Sequence, residues 1–138
     1  MTRTTEPNTR RILVTGSREW LDRRGVWRAL HEQAIGTDGV TVVHGDCPTG
    51  ADRYAREWCA ETQLEGLPVT EERHPADWDK HGRAAGPIRN NEMVALGADI
   101  VLAFPLGESR GTRGCMRAAD AAGIPVITYE GTDAEVSR

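Results

Sequence analysis

Short apolar runs alternate along the chain with segments whose apolar positions recur at helical spacing. The run RILVT (11–15) ends at GSR, a turn signal, after which Val26, Ala29, Leu30 and Ala34 share one helical face. The unit then repeats. VTVVH (40–44) leads through the loop GDCPTG into a stripe of Ala51, Tyr54, Ala55, Trp58 and Thr62. A third, more charged strand is predicted near PVTEERH (68–74), and AAGPIRNNEMVALG (84–97) predicts a helix with Pro87 in its first turn and Gly97 at its end. DIVLAF (99–104) shows no alternation, as a strand covered on both faces requires. The last helix puts Cys115, Ala118, Ala119 and Ala122 on one face and stops at Gly123, before the strand IPVIT (124–128).

Strands alternating with helices imply βαβ crossovers, so the predicted fold is α/β, a Rossmann-like three-layer sandwich with a mainly parallel sheet of about five strands. One domain is expected over residues 11–129, between polar tails at 1–10 and 130–138. In such sheets the ligand crevice lies beyond the carboxyl ends of the strands, where strand order reverses. The unusual residues of this chain follow its strands: GSREW, HGDCPTGAD, HPADWDKHGRAAGPIRN and PLGESRGT come after the first four in turn.

A length of 138 residues suits this single domain. With 38% hydrophobic and 28% charged residues, the chain is too apolar for general disorder and too polar for a membrane protein. Seventeen Lys and Arg against 21 Asp and Glu leave a net charge of −4, so nucleic acid is not an expected partner and any phosphate recognition has to be local. No apolar stretch reaches the ~20 residues that cross a bilayer, and MTRTTEPNTR lacks the apolar core of a signal peptide. No membrane partner and a cytoplasmic location are therefore expected. Cys47, Cys59 and Cys115, odd in number and widely spaced, read as reduced thiols rather than a disulfide framework or paired zinc ligands. Lys80 is the one lysine; the arginine excess suits bidentate phosphate recognition and equally a biased genome composition. With so few aromatic residues, the small sandwich is expected to bury surface in a homodimer.

Several residues can carry chemistry, each with a plainer alternative. Gly16, Ser17 and Arg18 place a glycine, a hydroxyl and a guanidinium where the first strand feeds its helix, either an anion seat or only a turn. Ser109, Arg110, Gly111 and Thr112 do the same after the fourth strand, with Thr112 otherwise an N-cap. Neither turn is a GxGxxG fingerprint or a GK[ST] loop, which argues against ordinary dehydrogenases and ATPases. Asp46, beside Gly45, and Asp52 can accept from ribose hydroxyls, though Asp52 also suits a first helical turn paired with Arg56. His74, Asp77, Asp79 and His81 are metal-ligand types at a spacing that fits no standard zinc or calcium loop. A polar loop closing over a ligand is preferred, with Trp78 either a base-stacking surface or a core anchor. Arg89 and Glu92, three apart, form an ion pair or, at a strand-end crevice, a phosphate ligand and a catalytic carboxylate.

Taken in order, GSREW, HGDCPTGAD, HPADWDKHGRAAGPIRNNEMV, ADIVLAFP and SRGT resemble the SLOG superfamily, specifically its YspA-type, cpYpsA-related family, over residues 11 to 128. That resemblance implies a Rossmann-like fold that binds a nucleotide or nucleotide derivative as sensor or processor. A second likeness is to the Lonely Guy phosphoribohydrolases, which cleave the N-glycosidic bond of nucleoside monophosphates. GPIRNNE is similar to their arginine-bearing helix, with Arg89 in the arginine's place. PLGESRGTRGC is similar to PGGxGTxxE, with Gly111 and Thr112 matching and Cys115 where the glutamate would stand. A neutral thiol cannot take over a carboxylate's charge or proton.

The expectation is a binder of a nucleotide-derived small molecule. Its phosphate would be held by Gly16, Ser17, Arg18, Gly111 and Thr112, with Arg89, Asn90, Ser109, Gly45 and Asp46 as further contacts and no metal or cofactor. The alternative is an enzyme that cleaves or transfers an N-glycosidic bond, with Glu92 or Asp52 as its carboxylate. Single-stranded DNA binding, as in DNA-processing SLOG relatives, is disfavoured by the acidic balance and the lack of an aromatic-basic groove.

Overall fold

In the computed structural model, which describes residues 7–130, strand β1 (Thr9–Gly16) takes the centre of a sheet. Helix α1 (Arg23–Ala34) leads to β2 (Gly39–His44) on one side of it, and α2 (Gly50–Leu64) leads on to β3 (Val69–Arg73) at that edge. The chain crosses back through a short helix α3 (Trp78–His81), a 3-10 turn (Gly82–Ala84) and α4 (Ala85–Ala95) to β4 (Ile100–Phe104), on the other side of β1. Helix α5 (Arg110–Ala121) carries it to the second edge strand, β5 (Val126–Thr128). The five strands stand in the order β3-β2-β1-β4-β5 with every neighbouring pair parallel, a Rossmann-like α/β sheet.

Alternation along the strands divides the core into two layers. Ile12, Val14, Val40, Val42, Ile100, Leu102 and Phe104 pack under α1 and α2, against Ala29, Leu30, Ala55 and Trp58. Leu13, Val43 and Val101 face the other way, against Met93 and Val94 of α4 and Cys115 and Ala119 of α5. Each fully buried aliphatic side chain of this kind contributes roughly 1.5–3 kcal/mol. The unalternating β4 is buried over its whole length because both layers cover it. Charged β3 is instead an edge strand, where exposed Thr70 and Arg73 meet solvent at no cost.

Two boundaries differ from expectation. β1 begins at Thr9, and Asn8 already bonds to Asp38 in both directions, at 2.6 and 2.8 Å, so the sheet starts before residue 11. Of the expected tail at 130–138, Glu130 is exposed and residues 131–138 lie outside the described residues, as do residues 1–6. Ala122, expected on the buried face of the last helix, is exposed because α5 ends one residue before it. Among the described residues no helix is long and apolar enough to cross a membrane.

Candidate functional site

Strand order reverses at β1 and β4, because the chain leaves β1 for the α1 face of the sheet and leaves β4 for the α5 face. Beyond their carboxyl ends lies a cavity of about 330 Å³, within the size range of small-molecule sites.

Gly16, Ser17 and Arg18 line this cavity, but the fold consumes much of what their backbone offers. Ser17 N–H donates to Phe104 O at 3.0 Å, joining the ends of β1 and β4, while Ser17 O accepts from Trp20 N–H (3.2 Å) and Ala51 N–H (3.3 Å). A Cβ on Gly16 would collide with Ala51 and crowd Phe104, so this glycine serves strand-helix packing rather than ligand approach. Helix α1 starts only at Arg23, where Asp22 accepts from Gly25 N–H at 3.0 Å. The expectation that this turn opens a helix is thus corrected. What it presents is the Ser17 hydroxyl, which accepts from Glu19 N–H at 3.0 Å and can still donate, and the Arg18 guanidinium, 5.3 Å from the centroid of the Trp78 ring.

The turn after β4 is built differently. Ser109, at φ 42, directly precedes α5 and its side chain makes no cap bond. The first backbone bond of the helix runs from Arg113 N–H to Ser109 O at 2.9 Å, and the N–H groups of Arg110, Gly111 and Thr112 find no acceptor among the described residues. Ser109, Gly111 and Thr112 line the cavity. Thr112 is the third helical residue rather than the N-cap, and a Cβ on Gly111 would meet open space.

Arg89 and Asn90 reach the same cavity from α4. Arg89 is 8% exposed; its Nη1 donates to Gly45 O at 2.5 Å and His74 O at 3.2 Å, and its Nε donates to Asn90 Oδ1 at 2.7 Å. Asn90 Nδ2 in turn donates to Gly111 O at 3.3 Å, tying α4 to the start of α5. Gly45 is needed because the guanidinium packs where a Cβ would stand. Among the described residues no carboxylate pairs with Arg89. Among the described residues its Nη2 has no hydrogen-bond partner either and no fully buried side-chain nitrogen lacks one, so Nη2 is the part left accessible in the cavity wall. Arg89 is therefore both a clamp on the loops and a buried cation with no carboxylate in direct contact.

Glu92 does not join it. Successive helical residues turn by about 100°, which puts Gly86, Arg89, Asn90 and Met93 on the crevice face and Glu92 beyond them, exposed and off the cavity. Neither the ion pair with Arg89 nor a carboxylate at the reacting centre comes from this residue.

Asp52 is the carboxylate nearest that role. It is 5% exposed in the first turn of α2, lines the cavity and accepts from Cys47 N–H at 3.3 Å. Burial pushes its carboxyl above the usual carboxylate range, against the pull of His44, Cys47 and Arg89. Its expected partner Arg56 goes instead to Asp46, at 3.4 Å, with Arg73 at 4.0 Å on the same carboxylate. Asp46 thus points its charge at α2 and β3 and is not among the residues that line the cavity.

His44, which the sequence offered only as a strand end, fixes this loop. It is fully buried, and its Nδ1 accepts from Asp46 N–H at 2.9 Å, so the ring hydrogen sits on Nε2 and goes to Glu71 at 2.6 Å. The other histidines do not converge on a metal. His74 bonds Glu72 at 2.7 Å, Asp77 caps Lys80 N–H at 3.1 Å, and among the described residues no three His, Cys, Asp or Glu side chains are grouped for a cation. Trp78 is 48% exposed and lines the cavity, so it does not anchor its loop in the core. Arg110 lines the cavity with the rest of its turn; Thr15, Glu19, Cys47, Gly86 and Pro87 also line it and were missed, although all but Gly86 stand within two residues of a nominated one. Burial raises the Cys47 thiol, aided by Asp52, so it is not an activated nucleophile.

The profile of the YspA, cpYpsA-related SLOG family matches residues 10–81. The Gene 61 protein of Mycobacterium phage D29 is 54% identical over 121 residues, covering 87% of this chain and 96% of its own. Among solved structures, the C-terminal domain of a hydrogenase from Pyrococcus furiosus is similar at 17% identity and a TM-score of 0.42, over 92% of this chain and 95% of that one.

Proposed function

The chain belongs to the YspA, cpYpsA-related SLOG family, and from that footing we propose that it binds a phosphorylated nucleoside or related nucleotide derivative in the cavity beyond β1 and β4. The observation that carries this reading is Arg89. A buried guanidinium without a carboxylate is costly, and an anionic ligand meeting its Nη2 would relieve that cost. The uncapped start of α5 adds donors on the same side, because Asn90 links Arg89 to Gly111. The cavity forms only when the sheet is assembled, so ligand stabilises the fold by linkage. At a concentration ~100 times Kd the gain is about 2.7 kcal/mol, on the order of 10 °C in Tm for a chain of this size. A thermal-shift panel of nucleoside mono- and diphosphates and ADP-ribose checks this; no stabilisation by any of them at millimolar concentration overturns it.

A second reading, N-glycosidic cleavage, is favoured by Asp52 alone. A carboxylate that burial makes more basic can take a proton from water attacking an anomeric carbon. Release of free base from AMP, CMP or GMP that is lost in Asp52→Asn and kept in Glu92→Gln supports an enzyme. No release above background leaves a binder.

A further inference from the structure

Arg18 was expected to hold phosphate, and its guanidinium is the charge that stands nearest the Trp78 ring, 5.3 Å from its centroid. Two separate clusters line the cavity. One is Arg89, Asn90 and the first turn of α5, linked by hydrogen bonds. The other is Arg18 and Trp78, with the far edge of the indole over Gly86. Gly86 and Asn90 stand one turn apart on the crevice face of α4, about 6 Å along its axis. The clusters are thus offset along one helix, and all the free backbone donors of α5 belong to the first.

We infer that the Arg18–Trp78 cluster is the nucleobase end of the cavity and that Arg18 recognises base rather than phosphate, which makes the ligand a nucleoside 5′-phosphate rather than a bare sugar phosphate. This rests on the reading that the cavity takes a phosphorylated ligand. Trp78 is half exposed at a cavity wall, an uncommon place for a tryptophan unless a flat partner covers it. At 5.3 Å from the ring centroid the guanidinium is farther than the ~3.5–4.0 Å of direct face contact, so it does not lie flush on the indole. A base stacked there has Arg18 at its rim, where a guanidinium donates to ring nitrogens and carbonyls. No carboxylate among the described residues pairs with Arg18, so those donors are not already committed to an ion pair.

The test compares AMP and GMP with ribose 5-phosphate by calorimetry, on the wild-type chain and on Trp78→Ala, Trp78→Phe, Arg18→Ala and Thr112→Val. Stacking on one aromatic ring predicts that wild type holds the better nucleotide roughly five- to a hundredfold tighter than ribose 5-phosphate. Trp78→Ala and Arg18→Ala erase most of that advantage and leave ribose 5-phosphate unchanged. Trp78→Phe keeps most of it, which distinguishes stacking from a loop merely disturbed, and Thr112→Val weakens all three ligands alike. If Arg18→Ala weakens ribose 5-phosphate as much as AMP and GMP, Arg18 is a phosphate ligand and the inference fails while the reading beneath it stands. Equal affinity of nucleotide and sugar phosphate in wild type has the same consequence. If none of the three binds at millimolar concentration the inference fails, and the reading beneath it falls with it only if nucleoside diphosphates and ADP-ribose fail to stabilise the fold as well.

Discussion

The turns that follow β1 and β4 look alike in sequence, a serine and an arginine beside a glycine, and the fold uses them in opposite ways. After β1, the Ser17 backbone joins Phe104 of β4 and Ala51 of α2, and six residues separate Gly16 from the start of α1. After β4 the connection is nearly as long, residues 105–109, but its serine stands at the far end, where Ser109 passes straight into α5 and the first N–H groups of that helix stay free. The first turn is a joint and the second is a socket. A serine-arginine-glycine turn thus offers a set of free donors only where it stands directly against its helix and the neighbouring chain does not claim those donors.

The largest effect is expected from breaking the joint. Gly50, at φ +74, passes against Ser17 O and the Arg18 backbone, so Gly50→Ala combines a strained left-handed alanine with a collision against main chain that has no room to move. A loss on the order of 3 kcal/mol or more is expected, about 10 °C in Tm. Denaturant unfolding that places the variant within 1 kcal/mol of wild type would mean that the turn after β1 is not welded to α2.

Parts of this difference were visible in the sequence. The helical stripes, the unalternating β4 and the stops at Gly97 and Gly123 depend on neighbours in the chain, and they came out nearly in place. Asp22, three before Gly25, was a readable N-cap that would have set α1 back from Gly16. Other features depend on residues far apart. Nothing in the spacing of HGDC says that His44 bonds Asp46 and Glu71, or that Arg89 reaches across 44 residues to Gly45. Glu92 illustrates the intermediate case: its angle to Arg89 follows from helix geometry, but which side of Arg89 meets the crevice is decided by packing against Gly45 and Gly111.

A middling effect sharpens the comparison at Asp52, whose helix is fastened to the joint through Ala51 N–H. Burial raises the carboxyl in the folded state above its unfolded value, so between those two values the folded chain holds more protons than the unfolded one. Stability from this group is then greatest below the ordinary carboxylate range, falls as pH rises through the raised value, and is least above it. Asp52→Asn keeps an oxygen for Cys47 N–H and removes the charge, so it is expected to stabilise the fold at pH 7 by about 1 kcal/mol and to flatten that decline. A carboxylate retained here against stability fits a role toward ligand. Chemical denaturation of both proteins across pH 4 to 8 measures the effect, and a less stable variant at pH 7 would make Asp52 a structural tie instead.

The smallest effect should come at the socket and carry the opposite sign to the first. Gly111 is the second residue of α5, exposed, at ordinary negative φ, with nothing within 4 Å of the place a methyl group would take. Alanine there adds helix propensity and meets no neighbour, so Gly111→Ala is expected to stabilise the chain by a few tenths of a kcal/mol, up to about 1. The same methyl narrows the approach to the free N–H groups of Gly111 and Thr112, so affinity for a phosphorylated ligand should drop several-fold while the fold gains. Of the glycines at the joint and the Arg89 clamp, none can separate the two quantities in this direction, since Gly16, Gly45 and Gly50 are all packed against their neighbours. Thermal unfolding and nucleotide titration on one preparation test both halves. A stabilised Gly111→Ala that binds AMP and GMP as wild type does would move the phosphate away from the start of α5, and a destabilised one would show that this turn, too, is a joint.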